Sequence, residues 1–392
     1  MQPLLSTAKL PKQQRFLDYF GEKMARELIK GNVAMAESAI RYGLEAYFGY
    51  PITPQTELLE HLAKRMPELG RAFVQAESEV AAINMVYGAA CTGVRVMTSS
   101  SSPGVSLMSE GISYIAGTEI PAVLINVMRG GPGLGNIAPA QSDYNQAVRG
   151  GGHGDYRNIV LAPASVQEAI DLVGLSFDLA EKYRTIAMIL ADGSIGQMME
   201  PAELPEMRPI QRKDPEWATN GNPNRPRRQL TSIYLEPHDE EITNLRLLKR
   251  WQDIQTNEVR YKEYYLDDAD YVIVGFGTAG RIALSAVRAA RAKGIKVGLL
   301  RPITLSPFPV AVMDELSQRA KAFLVVEMNT GQMLDDVRMA VRGRAPIEFY
   351  GRPGGVVPFP DEIMSEIERM THAKLNSQTD PRMAWLERAL AR

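Results

Sequence analysis

Ala122-Val123-Leu124-Ile125-Asn126-Val127-Met128 is an almost unbroken apolar run, and Arg129-Gly130-Gly131-Pro132-Gly133-Leu134-Gly135 follows it at once. A short continuous apolar run predicts a strand buried on both faces rather than one wetted on one side. The glycines beyond it let a ligand approach the backbone closely. Comparable β-rich runs occur at 71–76, 94–98, 159–162 and 185–191. Between them lie longer amphipathic stretches at 32–48 and 165–183, the second opened by a Ser165/Glu168 capping box. Buried strands alternating with helices predict a parallel sheet covered on both sides, that is, an α/β domain over 28–201.

Outward from that block the rhythm breaks. Residues 202–265 are rich in Pro, Asn, Arg and Glu, with one helical pattern near 239–255, and read as a surface connector. Its Arg-rich run, Asn222-Pro223-Asn224-Arg225-Pro226-Arg227-Arg228, is the best candidate for a nucleic-acid patch but reads more simply as solvated linker. A second alternating block follows over 266–392. Strands are expected at 271–274, 296–300, 322–326 and 347–350, with helices near 279–293, 309–320 and 332–342. This is a smaller α/β domain.

The totals narrow the classes. A chain of 392 residues has room for more than one core, and 45% apolar with 23% charged residues is a globular composition. A net charge of -2 gives no general attraction to polyanions. The single cysteine, Cys91, cannot form an intrachain disulfide or by itself ligate an iron–sulfur cluster. His61, His153, His238 and His372 show no metal-ligand spacing, so no metal site is expected in this chain. The start, MQPLLSTAKLPKQQ, lacks the apolar stretch of a signal peptide, and no run approaches the roughly 20 apolar residues of a membrane helix. The expectation is a cytoplasmic, reduced protein.

Gly275-Phe276-Gly277-Thr278-Ala279-Gly280 satisfies GxGxxG after a strand and before a helix, the context of a dinucleotide fingerprint. An NAD(P)-binding reductase is therefore one reading, with Arg301 suited to an NADP phosphate. The plainer reading is a tight strand-to-helix turn.

The first domain holds a denser set of polar loops, each where a strand gives way to a helix, and ligands of open α/β sheets bind at such ends. In Tyr50-Pro51-Ile52-Thr53-Pro54 the prolines stiffen the backbone around Thr53, and Thr53 or Thr56 can cap the next helix. Ala76-Glu77-Ser78-Glu79 enters a helix rich in small apolar residues, which suggests a closely packed, desolvated carboxyl; on spacing alone either Glu77 or Glu79 qualifies. Ser99-Ser100-Ser101-Ser102-Pro103-Gly104 offers hydroxyls and amides at another helix start. Arg129 at the mouth of a buried strand is a good carboxylate fork. Gln141-Ser142-Asp143 and the Gly150–Gly154 loop with His153 add further polar groups.

Together the YPITP segment, the Glu79 helix start, the RGGPG loop and the GGHGD loop resemble the α subunit of 2-oxoacid:ferredoxin oxidoreductases, most closely those acting on 2-oxoglutarate. The resemblance extends through the RPITLSPFP and VEMNTGQM segments of the second block. It implies a thiamine-diphosphate pyrimidine-binding domain followed by a transketolase-C-like domain. It implies that Glu79 bonds the aminopyrimidine, that Ile52 and Ser102 contact the cofactor, and that Thr53, Arg129 and His153 bind substrate. It further implies a β subunit, in an α2β2 assembly, that holds most of the diphosphate, Mg²⁺ and a [4Fe–4S] cluster, with coenzyme A and ferredoxin as reaction partners. No further fused domain is expected. The reaction so implied interconverts 2-oxoglutarate and succinyl-CoA, with a branched-chain 2-oxoacid or pyruvate as alternative substrates.

Overall fold

The structure is a computed structural model that describes residues 26–149, 151–210, 214–375 and 380–391. The stretch inspected above for a leader, and Gly150, lie outside the described residues. The strands of the first half are β1 (Glu27–Lys30), β2 (Ala46–Gly49), β3 (Ala72–Gln75), β4 (Val96–Ser100), β5 (Ala122–Met128), β6 (Ile159–Leu161), β7 (Ile186–Asp192) and β8 (Met199–Ala202). The second half adds β9 (Tyr261–Tyr264), β10 (Tyr271–Val274), β11 (Val297–Pro302), β12 (Thr304–Ser306), β13 (Ala322–Glu327) and β14 (Ile347–Gly351). They form a 7-stranded sheet ordered β12-β6-β7-β5-β4-β2-β3, a 5-stranded sheet ordered β14-β13-β10-β11-β9, and a β1-β8 ribbon. The expected α/β fold of two sheet domains is what the chain adopts.

The run 122–128 forms the heart of the larger sheet. All of β5 is buried, and it pairs in parallel with β4 and with β7, where Ala122 faces Ile186 and Met128 faces Asp192. Strand alternation divides it between two cores. Val123, Ile125 and Val127 pack with Ile40, Leu62 and Phe177 on one side. Ala122, Leu124 and Met128 face Ile83, Met108 and Ile112 on the other, in a cluster that runs on into Phe276 and Leu324 of the second domain. Each buried Val, Leu, Ile or Met contributes about 1.5–3 kcal/mol, so this two-sided strand anchors the fold. Asn126 breaks the apolar pattern on the second side.

Several expectations change. The amphipathic stretch 32–48 is not one helix: the helix Gly31–Arg41 ends, Gly43 turns the chain at φ 88, and Ala46–Gly49 becomes a strand between β3 and β4. Residues 202–265 contain the helix Pro237–Asn257, close to expectation, but also β9, which pairs antiparallel with β11. Strand β12, from the second half of the sequence, pairs antiparallel with β6 and closes the edge of the first sheet. Neither β1 nor β8 is legible as a strand in the sequence. Two arginines of the Arg-rich run are engaged within the connector: Arg225 bonds Asp214 and the carbonyls of Glu216 and Ala218, and Arg228 pairs with Glu216. The capping box forms only in part. Ser165 accepts from the Glu168 amide (3.1 Å), while Glu168 reaches the Ala164 amide (3.0 Å), Lys262 (2.6 Å) and Arg301 (2.5 Å). Burial pushes the Glu168 carboxyl up, but these cations outweigh it and hold it below its ordinary value.

Among the described residues no helix is long and apolar enough to cross a membrane.

Candidate functional site

Because β2, β3, β4 and β5 are parallel neighbours, the loops that follow them share one edge of the sheet. Arg129 lies immediately after β5 and is buried. Its Nη1 donates to the Thr53 carbonyl (3.0 Å) and its Nη2 to the Leu134 carbonyl (3.1 Å). Its Nε is buried with no hydrogen-bond partner among the described residues. An unpaired buried guanidinium donor costs on the order of 1–3 kcal/mol, which an anionic ligand would offset.

The Thr53 loop is held from beneath. The Pro54 carbonyl accepts from Asn32 (2.6 Å) and Gln197 (2.9 Å), and both amides also bond Glu57. Burial pushes Glu57 up, but Lys30 and these amides bring it down to about 2. Gln55 is buried and accepts from Ser99 Oγ (2.8 Å), which in turn meets the Tyr47 hydroxyl (2.7 Å). Neither Thr53 nor Thr56 caps the helix Thr56–Glu68, contrary to expectation; Gln55 occupies the cap position without a side-chain cap bond. Thr53 stays exposed and Ile52 half-buried at the mouth.

Ser102 sits at φ 24 and ψ -83, a conformation that costs a non-glycine residue roughly 1–3 kcal/mol and survives only when surroundings enforce it. Here they do. Its amide donates to Asn126 Oδ1 (3.1 Å), and its hydroxyl donates to Asp143 Oδ2 (2.6 Å) while accepting from the Arg129 amide (3.1 Å). Asn126 Nδ2 also donates to Asp143 (2.9 Å), and Ser142 Oγ donates to the Arg129 carbonyl (3.0 Å). Burial pushes the Asp143 carboxyl above its ordinary value despite these donors.

Burial separates the two candidate glutamates. Glu77 is exposed, whereas Glu79, first residue of the helix Glu79–Cys91, is 5% exposed. Ser78 caps that helix by accepting from the Ala81 amide (3.1 Å), which leaves Glu79 free of the capping task. A Cβ on Gly104 would stand 2.5 Å from Glu79 Oε1 and would also strike Ser100 Oγ, so the absent side chain makes the room. The Glu79 carboxylate makes no hydrogen bond or ion pair among the described residues, and Ser100 Oγ is likewise buried and unpartnered. A buried carboxyl and a hydroxyl awaiting partners suit a heterocycle with ring nitrogen and exocyclic amine, the chemistry of an aminopyrimidine.

Glu79, Ser102, Thr53 and Arg129 therefore join through the Ser99–Gly104 turn, with Ile52 alongside. His153 is not drawn in. It is exposed, its ring lies edge-on to Tyr114 at 6.4 Å, and its carbonyl accepts from Ser113. Asn126 was missed by sequence reasoning, although a polar residue inside an apolar strand was a legible signal.

The GxGxxG turn is already filled. Asp192, at the end of β7, accepts from the Thr278 amide (2.9 Å) and Thr278 Oγ1 (2.6 Å) at the start of the helix Gly277–Ala292. A Cβ on Gly277 would stand 2.8 Å from Asp192 Oδ2 and 2.9 Å from Gln141 Nε2. The helix end that a pyrophosphate would need holds a carboxylate of the chain itself, and Arg301 is committed to Glu168. The dinucleotide reading is withdrawn: these glycines serve domain packing.

Comparisons with known proteins give the family of the chain. Residues 37–260 match the thiamine-diphosphate-binding domain of pyruvate flavodoxin/ferredoxin oxidoreductases, and residues 269–363 match core domain II of pyruvate:ferredoxin oxidoreductase. The ketoisovalerate oxidoreductase subunit VorB of Methanothermobacter thermautotrophicus is 53% identical over 347 residues, covering 88% of this chain and 98% of that one. The 2-oxoglutarate synthase subunit KorA of the same organism is 38% identical over 372 residues, covering 87% and 98%. The 2-oxoglutarate:ferredoxin oxidoreductase of Magnetococcus marinus, solved with 2-oxoglutarate, coenzyme A and succinyl-CoA bound, superposes with a TM-score of 0.80 at 28% identity; it covers 89% of this chain, which spans 66% of that protein. The chain belongs to the 2-oxoacid:ferredoxin oxidoreductase family, as an α-type subunit of a thiamine-diphosphate-dependent oxidoreductase.

Proposed function

We propose that this subunit serves the oxidative decarboxylation of a branched-chain 2-oxoacid, with Glu79 and Arg129 as its working groups. The observation that carries the substrate choice is the charge inventory of the site. Arg129 is the only cation in the Thr53, Glu79, Ser102 and Arg129 loops, and its free Nε suits the substrate's 1-carboxylate. The Thr53 and Arg129 loops also carry the apolar Ile52, Leu134 and Ile137, of which Leu134 and Ile137 are exposed and available to an alkyl group. The second carboxylate of 2-oxoglutarate would need another cation, and His153 turns instead to Tyr114. The greater identity to the ketoisovalerate subunit supports the same reading. The 2-oxoglutarate expectation becomes the second reading, favoured by the likeness to the substrate-bound Magnetococcus enzyme.

Bound thiamine diphosphate would supply the nucleophilic carbon and the electron sink for loss of CO₂. Glu79 would hold and return a proton at the aminopyrimidine nitrogen from a site that water does not screen. Thr53, at the mouth, and Arg129 would fix the 2-oxoacid's carboxylate and carbonyl beside the reacting carbon. Ile52 and Ser102 would bound the cofactor ring. The family resemblance assigns the [4Fe–4S] cluster, Mg²⁺ and most of the diphosphate to a β subunit in an α2β2 cytoplasmic enzyme, and a single cysteine in this chain fits that division. Coenzyme A would take the acyl group and ferredoxin the electrons.

Purification with the β subunit, followed by viologen reduction with 2-oxoisovalerate, 2-oxoglutarate and pyruvate in the presence of coenzyme A, tests this. The expected result is a kcat/KM for 2-oxoisovalerate higher by at least about tenfold. A preference for 2-oxoglutarate or pyruvate overturns the substrate assignment.

A further inference from the structure

The Arg129 loop is braced by a segment whose other side is fastened to the second domain. In Gln141-Ser142-Asp143-Tyr144-Asn145, the Gln141 amide donates to the Met328 carbonyl (3.0 Å), its Oε1 accepts from the Met328 amide (3.0 Å), and its carbonyl accepts from Asn329 (2.7 Å). Gln332 spans the Ser142 carbonyl (2.7 Å) and the Asn145 amide (2.8 Å), and the Tyr144 hydroxyl donates to Asp336 (2.6 Å). From the same segment Ser142 holds the Arg129 carbonyl, and Asp143 collects both Ser102 Oγ and Asn126 Nδ2. Ser102 is the residue that receives the Arg129 amide while held at φ 24.

We propose that Asp143 is a positioning residue for the substrate clamp: it locks Ser102 in its strained conformation, and through it sets Arg129 at a place dictated by the second domain. This rests on the reading of Arg129 as the carboxylate clamp. The physical reasoning is short. Without the Asp143 carboxylate, the Ser102 hydroxyl and the Asn126 amide lose their common acceptor, and the bonds left to oppose relaxation of Ser102 are its own amide to an Asn126 no longer anchored and the Arg129 amide to its hydroxyl. The Arg129 amide is bonded to that hydroxyl, so relaxation moves the start of the Arg129 loop and the guanidinium with it. Displacements of about 1 Å at such a group cost on the order of a hundredfold in rate. The second domain, which supplies none of the working groups proposed above, thereby acquires a role in substrate affinity.

The test uses the assembled enzyme and measures kcat, the KM for the 2-oxoacid, the KM for coenzyme A and the thermal midpoint. Asp143→Ala is expected to raise the 2-oxoacid KM on the order of tenfold or more with the coenzyme A KM unchanged. Asp143→Asn, which keeps one acceptor oxygen, should move it less, and Gln332→Ala should move it in the same direction. Combined with Arg129→Lys, Asp143→Ala should add little further, because both act on one contact. A lowered thermal midpoint with the 2-oxoacid KM within about twofold of wild type would make Asp143 merely structural and overturn the proposal. Fully additive effects in the double variant overturn it as well, and an unmoved KM in Gln332→Ala removes the link to the second domain. If Arg129→Lys alone leaves the 2-oxoacid KM unchanged, the clamp reading itself falls and takes this inference with it. Should Asp143→Ala not assemble, Asp143→Ser, which removes the carboxylate and leaves a short polar side chain, carries the same decision.

Discussion

The two sheets end in turns that look alike in sequence and differ in what fills them. After β10, Gly275 and Gly277 open a helix whose Thr278 amide and hydroxyl meet Asp192, so the turn is filled from within the chain. At the ends of β4 and β5, Ser100 Oγ and Arg129 Nε are buried without partners among the described residues, and Glu79 packs closely against Gly104. Glycine-rich turns at strand ends are therefore a geometry that a fold reuses. A ligand site is marked by the polar groups left unpaired there, since an isolated buried donor or acceptor is too costly to leave unless something binds it.

The largest effect should come from the open side. Glu79→Gln is expected to lower turnover of the assembled enzyme by roughly 10²- to 10⁴-fold while assembly persists, read as viologen reduction per assembled complex. Activity preserved in that variant would erase the distinction between the two turns. Next, Arg129→Met should cost roughly ten- to a hundredfold in kcat/KM for the 2-oxoacid, from loss of charge-assisted bonds. A loss confined to coenzyme A kinetics would place the clamp elsewhere.

The closed side should respond in stability instead. Gly277→Val adds a side chain where φ is 52 and where Asp192 and Gln141 already crowd, and should destabilise by about 1–3 kcal/mol. Calorimetry would register it as a thermal midpoint lower by several degrees. Added NAD(P)H should leave that midpoint where it was, in wild type and variant alike; a cofactor-dependent rise would revive the dinucleotide site.

The last contrast is a pH slope. Glu327, at the end of β13, is buried and accepts from the Met333 (2.8 Å) and Leu334 (3.0 Å) amides, yet burial prevails and pushes its carboxyl up to about 7. A carboxyl that binds its proton more tightly folded than unfolded stabilises the protein fully below about 4.5 and loses that contribution as pH rises to about 7. Urea melts at pH 5 and pH 7.5 should therefore show less stability at the higher pH, by up to about 2–3 kcal/mol from this group. Glu327→Gln should flatten the difference; an unaltered slope would clear Glu327 of responsibility.

Much of this was open to reading in the sequence, and what was missed has physical causes. The run 122–128 announced a two-sided strand because burial leaves no polar face, and the alternation around it gave the parallel sheet. The stretch 32–48 misled because a short strand such as Ala46–Gly49 has too few residues to show period-2 alternation, and Gly43 was the overlooked break. Glu77 and Glu79 could not be separated by spacing; what distinguishes them is burial, and Glu79 packs against Gly104, a residue far along the chain. Asp192 caps the helix Gly193–Gln197 locally, accepting from the Ile195 amide, but its contact with Thr278 lies across to the other domain, and no local pattern encodes such a contact.

Strand β12 gives the molecule a property that concerns its inheritance rather than its chemistry. Thr304–Ser306 borders β6, with the Ser306 hydroxyl on the Asn158 carbonyl (2.8 Å) and the Ala162 amide on the Ile303 carbonyl (2.8 Å). A gene cut in the connector would yield one fragment with a bare sheet edge and another with a stray strand shaped to fit it. Such halves should aggregate when made apart and recover each other when made together. The two units are therefore expected to be passed on together rather than as separable modules.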